Sequence, residues 1–210
     1  MNLAKKLVSV AAGVALVAGA SLAAAPAAQS KINLKASSTI ISFKKDLISG
    51  LATQGITISV KAPATWNSAK AEVRFPITKV TDDAISHAGS LIFTKGETVI
   101  ELANPTIVTP TPSSEFFVTA TTALGPETPL MVLKNLKPNE QCKVSGKKKK
   151  WLKKTTLRVQ ANVHLTSDPA VIGALQGLLS PAFTADLGLG QGRVTLADEV
   201  KSKATKKPKC

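Results

Sequence analysis

Tyrosine is absent from all 210 residues, so no phenolate can hold a metal ion or carry a proton in this chain. Histidine is almost as scarce, with only His87 and His164, and the cysteines are two, Cys142 and Cys210. Such a set lacks the ligand count of a closed zinc site. Aromatic residues make up 4% of the sequence, and the lysine-rich run near residue 150 contains a single ring, Trp151. Single-stranded nucleic acid is bound by several stacking rings along a basic groove, so nucleic acid is not an expected partner. No strand–elbow–helix signal surrounds a serine, and no glycine-rich phosphate loop follows a strand and opens a helix. The run "LGLGQG" around Gly188 follows a helical stretch and reads as a turn into the strand "RVTLADEV". An enzyme is therefore not expected.

Acidic residues are also few, 13 against 27 Lys and Arg. The chain begins with Lys5 and Lys6, an apolar run from Leu7 to Ala20, and Ala25-Pro26-Ala27. This basic, apolar, small-residue order is that of a secretory signal peptide over residues 1–27, cleaved near Ala27, and it predicts a secreted or cell-surface protein. Without Lys5 and Lys6 the net charge is 25 − 13, or +12. That excess favours anionic partners such as lipid head groups or envelope polymers. In an exported chain, an isolated Cys142–Cys210 pair is expected to form a disulfide.

From residue 28 to 200 the pattern is that of one mainly β domain. "ITISVKA", "AEVRFPITKV", "AISHAGSLIFTKG", "ETVIELANPTIV", "EFFVTATT", "PLMVLKNL" and "TTLRVQANVHLTS" are short β-leaning segments between Pro, Gly, Asn and Asp signals. In the last of these, Leu157, Val159, Ala161, Val163 and Leu165 alternate with polar residues, which places His164 on the wet face. Two helices are expected. One covers "SSTIISFKKDLISGLATQG", with Ser37 or Ser38 as cap, Ile40, Phe43, Leu47, Ile48 and Leu51 on one face, and Gly55 as stop. The other lies in "SDPAVIGALQGLLSP", capped by Asp168, with Pro169 in its first turn. The fold class is an antiparallel β-sandwich or flattened barrel with two helices, and residues 201–210 form a basic, disordered-looking tail.

In "ISHAGSLIF", strand alternation puts Ile85, His87, Gly89, Leu91 and Phe93 on one side. His87 then stands in an apolar row beside a glycine that leaves space. It reads either as a core histidine bonded to a carbonyl or a nearby Ser or Asp, or as a pocket residue. Asp82 and Asp83 read as turn residues, and Met131 as core. The succession of "SFKKDLISG", "AEVRFPITKV" and "ISHAGSLIFTKGETVIELANPTI", with the later helix from Val171 to Leu179, resembles the HtaA family of bacterial surface and secreted haem-binding domains. The resemblance spans residues 34 to 200 and implies an HtaA-like β domain.

In that family a tyrosine on the first helix holds haem iron, and a histidine of the His-x-Gly strand supports it. The resemblance puts His87 in the place of that histidine and Leu47 in the place of the tyrosine. It implies a ligand pocket including His87, Leu47, Phe43 and Phe93, with His87 the remaining candidate for iron. Two functions follow as expectations. One is binding of a hydrophobic planar ligand such as haem. The other is a non-catalytic structural or adhesive envelope module that has lost the ligand. Separately, Lys147, Lys148, Lys149, Lys150, Trp151, Lys153 and Lys154 are expected to tip a hairpin and contact anionic lipid or wall polymer, with Trp151 entering the interface.

Overall fold

The computed structural model describes residues 32–81, 83–108, 116–122, 125–147 and 150–210. The expected signal peptide, Asp82, Lys148 and Lys149 lie outside the described residues. Eleven strands form one antiparallel sheet: β1 (Ser38–Phe43), β2 (Ile56–Lys61), β3 (Thr65–Asn67), β4 (Glu72–Val80), β5 (Ala84–His87), β6 (Ser90–Lys95), β7 (Thr98–Val108), β8 (Phe116–Thr122), β9 (Gly125–Lys147), β10 (Lys150–Leu165) and β11 (Gly188–Ser202). Helix α1 (Lys45–Thr53) joins β1 to β2, and α2 (Pro169–Leu178) stands between β10 and β11.

The sheet closes on itself. Its order runs β7-β5-β4-β1-β11-β10-β9-β8, and β8 returns to pair with β7, which makes an eight-stranded barrel. Closure removes the unpaired edges an open sheet would carry. β5 and β6 lie along the same edge of β7 in succession, β5 against Thr106–Val108 and β6 against Thr98–Ala103. From that point β6 leaves the barrel and takes β2 as its own neighbour.

The buried set follows the strand periodicity. Leu157, Val159, Ala161, Val163 and Leu165 of β10 face inward, as do Ile41 and Phe43 of β1 and Val73, Phe75 and Ile77 of β4. Three expectations need correction. The segment from Ser38 to Phe43 is a strand, not the first turns of a helix. Its Thr and Ile residues are β-branched and gain a partner on each side, β11 and β4, and this pairing outweighs the helical spacing of its apolar residues. Helix α1 starts only at Lys45, behind Lys44, with no side-chain cap. "LGLGQG" is largely strand: Gly188 to Gly192 belong to β11, and at Gly190 a side chain would lie 2.0 Å from the Ser42 carbonyl.

The third correction concerns the tail. β11 continues through Lys201 and Ser202, and the chain end is fastened by the Cys142–Cys210 disulfide. Helix α2 is built as its sequence indicates: Asp168 accepts from Ala170 N (2.9 Å) and Val171 N (3.3 Å), and Pro169 opens the first turn. Among the described residues no helix is long and apolar enough to cross a membrane.

Candidate functional site

One end of the barrel holds an apolar cleft under the two helices. Phe43 ends β1, Leu47 and Leu51 come from α1, Ile58, Phe93 and Leu102 from β2, β6 and β7, and Leu130 and Met131 from β9. Leu165, Leu175, Leu179, Phe183 and Leu189 complete the wall. All thirteen lining side chains are apolar. The space left inside is small, about 30 Å³. That is room for about one water molecule. The helices that roof it are short, nine and ten residues, and such helices owe their stability to packing. Ser180 Oγ bonds to the Gln54 side chain, and Lys95 Nζ bonds to the Leu179 carbonyl, so the ends of both helices are tied beside the cleft.

Phe43, Leu47 and Phe93 thus meet in one wall. His87 is not among the lining residues. It is 5% exposed, inside the barrel, and hydrogen-bonded to Thr39 of β1. Thr39 and Phe43 point the same way along β1 but stand four residues apart, which is about 13 Å of strand. Both imidazole nitrogens are occupied. Nδ1 lies 2.7 Å from the Pro105 carbonyl, and Nε2 lies 2.6 Å from Thr39 Oγ1. A carbonyl only accepts, so Nδ1–H donates to Pro105; in the neutral ring Nε2 then accepts from the Thr39 hydroxyl. The lone pair that could bind iron is already used. The Phe75 ring packs edge-on against the imidazole at 6.3 Å. Burial pushes the His87 pKa down from 6.5 to about 4, and the Pro105 hydrogen bond opposes this only in part.

Gly89 does leave space, but the protein's own backbone takes it. Its φ is +95°, and a Cβ there would come within 2.5 Å of Ala64 N and 2.8 Å of the Lys61 carbonyl. This backbone turn at Ala88 and Gly89 breaks the single expected strand into β5 and β6. Inward-facing Ile85, His87, Leu91 and Phe93 nevertheless remain buried, because the break does not reverse their alternation. His164 lies on the outer face as its periodicity predicts. Its Nδ1 is 3.1 Å from Asp186 Oδ1, which Lys134 Nζ also approaches at 2.7 Å. The Lys134 hydrogen bond holds the Asp186 carboxyl below the usual range. Among the described residues no cluster of three or more His, Cys, Asp or Glu could hold a metal ion.

Neither a protein-family model nor a curated protein matches the sequence. Solved structures do match. The chain is similar to the crystal structure of the C-terminal domain of HtaA from Corynebacterium glutamicum, with 13% identity, TM-score 0.50, and coverage of 78% of this chain and 95% of that one. The fold is that of an HtaA domain. The haem-binding protein HtaB of the same organism also aligns, at 12% identity, TM-score 0.49, and 79% and 94% coverage. In this HtaA-type barrel the sequence signals that found Phe43, Leu47 and Phe93 were the family-like motifs. Leu130, Leu165, Phe183 and Leu189 were missed as lining residues, since strand period gives the side a residue faces but not which distant element it meets, and Phe183 lies in the connection between α2 and β11, where there is no period to read.

Proposed function

We propose that this HtaA-type domain binds a small, hydrophobic, planar ligand of the porphyrin kind in the cleft beneath α1 and α2, and that protein ligation of iron does not hold it there. The reading rests on the wall of thirteen apolar side chains, three of them phenylalanine rings. The donor set suits the hydrocarbon face of a macrocycle and does not suit its metal. Met131 supplies the single heteroatom-bearing side chain of the wall, and a lone thioether is a weak, soft ligand. Leu47 contributes only hydrocarbon. His87 acts in this reading as a brace of the barrel interior. Lys44 and Lys45, exposed and next to Phe43 in the chain, offer charge to a ligand's carboxylates. Entry needs α1 or α2 to swing outward, since the space as built admits about one water.

The small internal space favours a second reading, a closed structural or adhesive envelope module with the fold but no ligand. Titration with hemin and with metal-free protoporphyrin separates the two. Trp66 stands 6.2 Å from Phe43, so quenching of tryptophan fluorescence reports on the cleft. The expected result is saturable binding of both porphyrins with affinities within about tenfold of each other, because the metal adds little. Leu47→Tyr is expected to strengthen hemin alone and to give a phenolate-to-iron absorption band. No saturable change with either porphyrin, in the wild type or in Leu47→Tyr, refutes the binding reading and leaves the structural one.

A further inference from the structure

Beyond the barrel, β9, β10 and the end of β11 continue as a three-stranded ribbon. Directly opposed residues of antiparallel strands share a face, so the pairings sort its side chains. Lys150 opposes Lys147, and Lys154 opposes both Lys143 and Glu199. Leu152 opposes Lys201, and Arg158 continues the same side of β10. One face therefore carries Lys143, Lys147, Lys150, Lys154, Arg158 and Lys201, all exposed, against one acid, Glu199. Lys154 Nζ meets Glu199 at 2.6 Å, leaving the positive excess largely uncompensated.

Trp151 and Lys153 belong to the opposite face, with Val144, Val200 and Cys142. Cys142 fixes the C-terminal tail to that side through Cys210. Trp151 is half-buried there, and its Nε1 is buried without a hydrogen-bond partner. Of the residues expected to share one surface, alternation thus puts Lys147, Lys150 and Lys154 on one face and Trp151 with Lys153 on the other.

We infer that the ribbon's open face is a binding surface for a single extended, base-free polyanion of the acidic-polysaccharide or polyol-phosphate class. Charge complementarity carries the choice. From Lys150 to Arg158 the face runs about 26 Å, and three strands make it about 10 Å between outer strand axes. That is the footprint of one extended chain lying along the strands. Cations recur at every fourth residue, Lys143 and Lys147 on β9 and Lys150, Lys154 and Arg158 on β10, a regular row for repeating anions. No ring projects from this face, so neither stacking of bases nor aromatic anchoring in a bilayer is provided for. Lysines on edge strands also discourage edge-to-edge pairing. That role does not account for Lys150, Lys154 and Arg158, which stand on the central strand of the ribbon.

Binding of the full mature chain to heparin and to a polyol-phosphate polymer, measured against anionic vesicles and duplex DNA, tests the surface. The expected result is saturable polymer binding that falls about tenfold or more as salt rises from about 50 to about 200 mM. Lys143, Lys147, Lys150 and Lys154 changed together to Gln should weaken it about tenfold or more. Lys203, Lys206, Lys207 and Lys209 changed together to Gln remove the same charge from the tail and should leave affinity within about twofold. Equal loss in the two variants would show attraction by net charge alone and overturn the site. Vesicles or DNA bound more tightly than either polymer, or no polymer bound at all, would overturn the assigned partner.

Discussion

Protonation of His87 should destabilise the barrel, and the structure sets both the sign and the size. The neutral ring is matched to its surroundings: Nδ1–H donates to Pro105 and Nε2 accepts from Thr39. A proton on Nε2 would make the Thr39 hydroxyl turn from donor to acceptor and would bring a charge into the barrel interior, which is the larger cost. The folded pKa is about 4 against 6.5 for the free side chain. A depressed histidine pKa means that the unfolded chain binds the proton first as pH falls. The contribution of the neutral ring is then fully present above about pH 6.5, declines between about 6.5 and 4, and is gone below. At 1.36 kcal/mol per pKa unit the whole window is worth about 3 kcal/mol, of which about 2.5 is lost by about pH 4.5.

Urea unfolding of the oxidised protein at about pH 7.5 and about pH 4.5 measures this, with His87→Gln as reference. Carboxylates such as Asp186 titrate in both proteins, so the difference between the two pH dependences isolates His87. The variant should be less stable at neutral pH and lose about 2.5 kcal/mol less on acidification. Parallel pH dependences for wild type and variant would refute the argument, for then the histidine would not be excluded from solvent.

Two further outcomes test the architecture. Gly89→Ala forces a side chain at φ +95° into the Ala64 and Lys61 backbone and should cost about 3 kcal/mol or more in thermal or urea unfolding; an unchanged midpoint would mean the β2–β3 turn is not seated there. Cys142→Ser opens a loop closed over a sequence separation of 68 and should cost about 4 kcal/mol in the chain-entropy model, read as a lowered urea midpoint; a loss below about 1 kcal/mol would mean the tail link lies outside the cooperative unit.

Much of the strand inventory is legible because a half-buried strand must alternate. β10 shows its inward row from Leu157 to Leu165 in the sequence alone, and His164 falls outside it, where the structure has it. Helix α2 is legible from Asp168 and Pro169, whose chemistry fits only a first turn. The Cys142–Cys210 pair needed no more than two cysteines in an exported-looking chain. Sequence also determined one negative: with no tyrosine, an iron–phenolate bond is impossible whatever the fold.

Other matters were decided only by the tertiary structure. "STIISF" satisfies both a helical and an extended reading, and its two flanking strands chose the extended one by hydrogen-bonding both of its edges. The apolar row of "ISHAGSLIF" shows that His87 points inward, but not that Pro105 and Thr39 would consume both ring nitrogens; those partners are 18 and 48 residues away. Alternation gave each ribbon lysine a side, while strand register alone could say that Lys143, Lys154 and Lys201 share one face and Trp151 the other. Local sequence fixes the direction of a side chain relative to its own strand. What that side chain meets depends on closure of the barrel, because only closure brings distant strands into register.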